Sequence, residues 1–135
     1  MRKWAFAAAA AAGLAGAGGI ILAAAAAHGV PDPRLQTAAN LLMLHAAATL
    51  AVCGLALAVP QRGIWFLGAA GLFLSGSLLF GGDLSARALA GTRLFPMAAP
   101  LGGTLLIFGW ALVTLAALIG MGQSRAGKPD QSVDE

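Results

Sequence analysis

The sequence predicts an all-α fold: an integral membrane bundle of four transmembrane helices. Three observations carry that expectation. Charged residues make up only 10% of the 135-residue chain against 59% apolar, and the mean hydropathy is +0.84; soluble domains are about one quarter charged. Four apolar runs approach or exceed the about 20 residues that cross a bilayer as a helix. The breaks between the runs carry proline and glycine, the residues that stop helices.

The first run extends from Trp4 to Ala27 and the second from Leu35 to Val59, separated by "HGVPDPR" with Pro31 and Pro33. "PQRG" then leads to a third run from Ile64. Its end has two readings. It stops at Gly81-Gly82, with Asp83 capping a short interfacial helix, or it continues to Ala90. The longer form has 27 residues and a length of about 40 Å, more than the hydrocarbon core accommodates without tilt or projection into water. The fourth run spans Leu101 to Gly120, with Pro100 suited to a first helical position. Residues 1–120 thus form the transmembrane domain, and residues 121–135 are expected to be a disordered polar tail on the cytoplasmic side.

The N-terminal segment combines a basic start with an A-x-A-like end, as signal peptides do. Its 24 apolar residues exceed the roughly 7–15 of a signal core, which favours a retained transmembrane helix. Four spans place Arg2, Lys3, Arg62, Arg125 and Lys128 on one side and Arg34, Arg87 and Arg93 on the other. That bias puts both termini in the cytoplasm of a protein of the plasma (inner) membrane. Trp4 and Trp65 begin odd-numbered spans and so mark the same interface. Trp110 lies mid-helix and is expected to pack against a neighbour.

Helices in lipid associate by close packing, because acyl chains are as apolar as leucine. The first helix repeats small residues at every fourth position, in the rows Ala9-Gly13-Ala17 and Ala8-Ala12-Gly16. It is expected to be the most enclosed of the four. Ser75, Gly76 and Ser77 in the third helix, and Gly102 and Gly103 in the fourth, form further packing surfaces.

A net charge of +3 without a basic stripe interleaved with aromatics excludes a nucleic-acid partner. A single cysteine, Cys53, excludes an intramolecular disulfide and a thiolate cluster. No nucleophile–base pair, phosphate loop or dinucleotide fingerprint appears, so neither an enzyme nor a cofactor is expected. His28 and His45 stand seventeen apart without a carboxylate at ligand spacing, so no metal site is expected.

The polar residues in or near the membrane are therefore the candidates. His45 interrupts "ANLLMLHAAATLAV" near the middle of the second helix, where an ionisable residue is costly. Thr49 is its nearest polar neighbour on the helical wheel, within a narrow face of Ala38, Leu41, Ala48, Val52 and Ala56, while Asn40 points away. One reading makes His45 a neutral packing residue bonded to Thr49, a serine or a backbone carbonyl. The other makes it a proton or ligand site, joined by His28 or Asp83. Asp83 and Arg87 are four apart and share a helix face.

"AAAAAHG" closing the first helix, a histidine within the second, "SGSLL" in the third and "APLGGTLLIFGW" opening the fourth together resemble the YgdD-like small membrane proteins. The resemblance covers roughly residues 7–120, and the "PLGG…FGW" element is its most specific part. It implies four transmembrane helices and no established reaction. The leading expectation is a non-enzymatic structural or accessory bundle whose partners are the lipid bilayer and other membrane proteins or a second copy. The alternative is a small conduit or carrier using His45.

Overall fold

The computed structural model describes residues 1–126. Four helices, α1 (Arg2–His28), α2 (Pro33–Ala58), α3 (Gly63–Ala90) and α4 (Ala98–Ala126), follow one another with no strand among the described residues. A single 3₁₀ turn at Pro60–Arg62 joins α2 to α3. Each helix is long and apolar enough to cross a membrane. The tail expected to be disordered over residues 121–135 is instead helical as far as Ala126, as the last part of α4, and from residue 127 on it lies outside the described residues.

The helix ends follow local chemistry. α2 begins at Pro33, two residues before the apolar run, because the Asp32 carboxylate accepts the Arg34 amide at 2.8 Å and proline at the first helical position needs no donor. The Arg34 guanidinium bonds the same carboxylate and holds it below the usual aspartate range. α3 takes the longer of its two readings and runs unbroken to Ala90, where Gly91 at φ 68° ends it in the left-handed conformation glycine adopts freely. α4 starts at Ala98, so Pro100 occupies the third position of the helix instead of the first. Amides of the whole first turn lack intrahelical partners, which makes proline acceptable there too.

Helices α2 and α3 form the centre; α1 packs against α2 and more lightly against α3, and α4 packs against α3. Ala5, Val52, Cys53, Ala56, Phe66, Ala70, Phe73, Leu106 and Ala116 make one core, and Ala15, Leu42 and Ala46 a smaller one between α1 and α2. The enclosed position expected for α1 is corrected. Only Ala5, Ala12, Ala15 and Gly19 are buried in α1. Helix α1 turns Phe6, Leu14, Ile20 and Ile21 outwards and carries small residues on both its packed and its exposed faces, so its sequence does not mark the side that meets α2.

The small residues divide accordingly. A Cβ on Gly19 would meet the Ala39 carbonyl at 3.1 Å, and one on Gly16 would touch Ala46 at 3.5 Å. Gly13, expected at a packed face, is exposed with no atom of another residue within 4 Å of a Cβ position. The row used is Ala8-Ala12-Gly16; the row of Gly13 faces outwards. Between α3 and α4 the backbones come closest: a Cβ on Gly102 would stand 2.6 Å from the Phe80 nitrogen and 2.8 Å from the Gly76 carbonyl. A Cβ on Gly103 would lie 3.7 Å from the Phe80 ring, ordinary contact. Ser75 is exposed and bonds the Gly71 carbonyl of its own helix, while buried Ser77 bonds that of Leu74. Neither serine bridges to a neighbour through those bonds.

Candidate functional site

His45 stands about 18 Å along α2 from Pro33 and about 20 Å from Ala58, at mid-bilayer depth. Its side chain is buried, with 4% exposure, and turns towards α3 and α4. Nδ1 lies 2.9 Å from the Leu41 carbonyl. Nε2 faces the Trp110 indole N–H, which donates to it across 3.4 Å, a long and correspondingly weak hydrogen bond. A carbonyl only accepts and an indole N–H only donates, so the proton belongs on Nδ1 and the ring fits in its neutral form. Both nitrogens are then satisfied within the protein.

Phe73 of α3 completes an aromatic cluster. Its ring centroid lies 5.5 Å from that of His45 and 4.9 Å from that of Trp110, with tilted planes. Those separations fall in the range where ring quadrupoles attract. Phe73 is fully buried, whereas Trp110 turns half of its surface outwards. Small Gly109 makes the approach possible, since a Cβ there would meet the Phe73 ring at 2.6 Å. Three helices thus meet around one imidazole.

Thr49, the polar neighbour expected to bond the ring, donates instead to the His45 backbone carbonyl at 2.7 Å. This is the back-bonding a threonine makes to the preceding turn of its own helix. Trp110 is the partner that sequence reasoning missed. The available signal was depth: an indole N–H about 18 Å along α4 from Ala98 needs an acceptor in hydrocarbon, and His45 lies at a similar depth.

The remaining candidates lie elsewhere. His28 is the last residue of α1 and is exposed, about a dozen helical residues from the level of His45. Asp83 is fully buried, forms an ion pair with Arg87, and accepts the Leu94 amide at 3.0 Å. These contacts are with the end of α3 and the α3–α4 connection and include no contact with His45. Among the described residues no three histidine, cysteine or acidic side chains are placed to hold a metal. Surface hollows, one lined by Met1, Arg2, Phe6, Ala56 and Leu57 and another by Leu72, Phe108 and Leu112, are mainly apolar and do not include His45.

Residues 22–103, which include His45, Asp83 and Gly102, match the family described as "Protein of unknown function (DUF423)". The chain is also 36% identical over 85 residues to proteins named "UPF0382 inner membrane protein YgdD" from Escherichia coli strain K12, E. coli O157:H7 and Shigella flexneri. The match covers 62% of this chain and 63% of each relative, so the chain spans under two thirds of the length of the curated relatives it matches. No solved structure matches it. A four-helix membrane protein with this matched segment belongs to the DUF423 family of proteins of unknown function.

Proposed function

We propose that this protein is a non-enzymatic bundle of the inner membrane, with a structural or accessory role, and that His45 is the residue that locks its helices together. The observation that carries the reading is the engagement of both His45 nitrogens, by the Leu41 carbonyl and by the Trp110 indole. A ring so occupied has no free lone pair for a ligand and no free N–H for a relay. Its ring neighbours Phe73 and Trp110, with Thr49 bonded to its own helix, offer no polar continuation among the described residues, which speaks against the conduit. The relatives are named as inner membrane proteins, and the arginine and lysine distribution supports both termini in the cytoplasm.

Reconstitution of the full chain into liposomes tests this. Proton and small-ion flux should equal that of protein-free vesicles, while His45→Leu lowers the melting temperature in detergent. A flux that His45→Leu and His45→Gln both abolish, with melting temperatures unchanged, would establish the conduit instead. For the orientation, a C-terminal reporter active on the periplasmic side would contradict the assignment.

A further inference from the structure

Helix α3 is longer than the membrane requires, and the chain does not simply turn over its end. From Trp65, which marks one interface, to Gly82 is about 26 Å of helix. The hydrocarbon core is about 30 Å thick. The residues from Asp83 to Ala90 therefore approach and pass the far interface. Leu94 is nevertheless found back beside Gly82: its Cδ1 lies 3.4 Å from the position of a Cβ there, and its amide is bound to Asp83. Four residues, Gly91 to Leu94, descend the length that eight helical residues climbed, about 12 Å, within the reach of an extended chain.

The composition changes along the descent. Gly91, Thr92 and Arg93 occupy the top, followed by Leu94, Phe95, Pro96 and Met97. The side chains of Leu94, Phe95 and Met97 are all exposed on the protein, and Leu94 stands beside Gly82, about 26 Å of helix from Trp65. Irregular backbone at that depth survives only where the protein satisfies its polar groups. It does so here. Asp83 Oδ1 takes the Leu94 amide, Pro96 has none, the Phe95 carbonyl accepts from Ala98 at 3.3 Å, and the Met97 carbonyl accepts from Leu101 at 2.9 Å.

We propose that residues 94–97 form a wedge inserted among the lipid acyl chains at the far interface, and that the Asp83–Arg87 pair holds it there. A carboxylate is suited to this role because it accepts the loop amide with one oxygen and keeps Arg87 with the other. Arg87 in turn compensates the buried charge. The inference depends only on the chain spanning a membrane, and it stands whether or not His45 is structural.

Spin labels test it on the full chain in phosphatidylcholine–phosphatidylglycerol vesicles, in a Cys53→Ala background. Labels at Thr92→Cys, Phe95→Cys and Met97→Cys are compared for access to oxygen, which partitions into lipid, and to a water-soluble nickel chelate. Residue 92 should favour nickel, and residues 95 and 97 should favour oxygen. Asp83→Ala should reverse that preference at 95, whereas Asp83→Asn, which keeps an acceptor for Leu94, should largely preserve it. Nickel access at 95 and 97 in the otherwise unchanged protein would overturn the wedge. Access by neither reagent would overturn it as well, by showing that protein covers the segment. An Asp83→Ala protein that folds and keeps the oxygen preference would overturn the staple.

Discussion

Helix α1 brings mainly alanine and glycine to α2, whereas on the other side of the bundle α2 is also tied to α4, and α3 to the connection that follows it, by polar contacts. Around α1 small residues of α1 lie against apolar residues of α2: Ala15 and Gly16 against Ala46, Gly19 against Ala39 and Met43. Such a surface lets helices approach but does not specify depth or rotation, because a shift of four residues presents another small residue. On the other side of the bundle, the His45 ring reaches Trp110 from α2 to α4, and Asp83 ties α3 to the amide of Leu94. A hydrogen bond has one partner and one direction. In a bilayer, where dispersion is nearly equal between protein and lipid, such contacts determine which register the packing adopts.

The two polar contacts also differ with depth. At mid-bilayer the group is an imidazole that can be neutral; the charged carboxylate stands about 27 Å of helix from Trp65, at the far edge, with an arginine beside it. Charge is tolerated only where a partner and the interface are both near.

The largest effect is expected at that edge. Arg87→Leu leaves the buried Asp83 carboxylate without its counter-charge, which is more damaging than losing the pair together. Thermal unfolding in mild detergent should show the greatest loss for this variant, and Asp83→Asn combined with Arg87→Leu should recover part of it. Equal melting temperatures for the wild type and Arg87→Leu would remove the staple from the comparison.

Close packing comes next. Gly102→Leu forces a side chain against the Phe80 backbone, and overpacking of this kind costs about 1–3 kcal/mol. Loss of α3–α4 proximity, read by a crosslink between cysteines introduced at Gly68 and Leu112, where a Cβ on Gly68 would meet the Leu112 side chain, should accompany it. An unperturbed crosslink would mean that the backbones stand further apart than the glycine contact requires.

Much of this was legible in the sequence, and the reasons differ by element. Hydropathy and the proline-containing breaks located all four spans, because the length a membrane demands is itself a sequence signal. The end of α3 was left open, since what favours the long form is the amide of Leu94, eleven residues further on. The interior face of His45 followed from the small residues around it. Its partner did not: a helical wheel ranks Thr49 first, and nothing local tells which helix will stand opposite. The enclosure of α1 was misjudged because small residues reveal that close packing is possible but do not say on which side. Gly13 and Gly16 look alike in sequence and differ only in what they face.

The contrast between the two sides is sharpened by smaller effects. His45→Leu strands the Trp110 N–H and should cost about 0.6 kcal/mol, with ~1.7 as the ceiling for intramembrane hydrogen bonds. His45→Gln should cost less, since an amide supplies both a donor and an acceptor. Gly13→Leu should change stability by no more than about 0.5 kcal/mol, as outward-facing substitutions do, and Gly19→Leu should be clearly worse because Met43 and the Ala39 carbonyl stand in its way. Equal losses at Gly13 and Gly19 would mean that α1 is enclosed on both sides in the membrane, by a further copy or a partner.

The most direct measurement of the bond that locks α4 to α2 is a double-mutant cycle between His45→Leu and Trp110→Phe, followed by reversible unfolding in detergent or bicelles. Phenylalanine keeps the ring contact with Phe73 and removes only the indole donor. If Trp110 donates to His45, the two losses overlap and the double variant is about 0.6 kcal/mol more stable than additivity predicts. Strict additivity, with each single variant destabilising by its own amount, would show that the two side chains act independently and that this contact does not hold the helices in register.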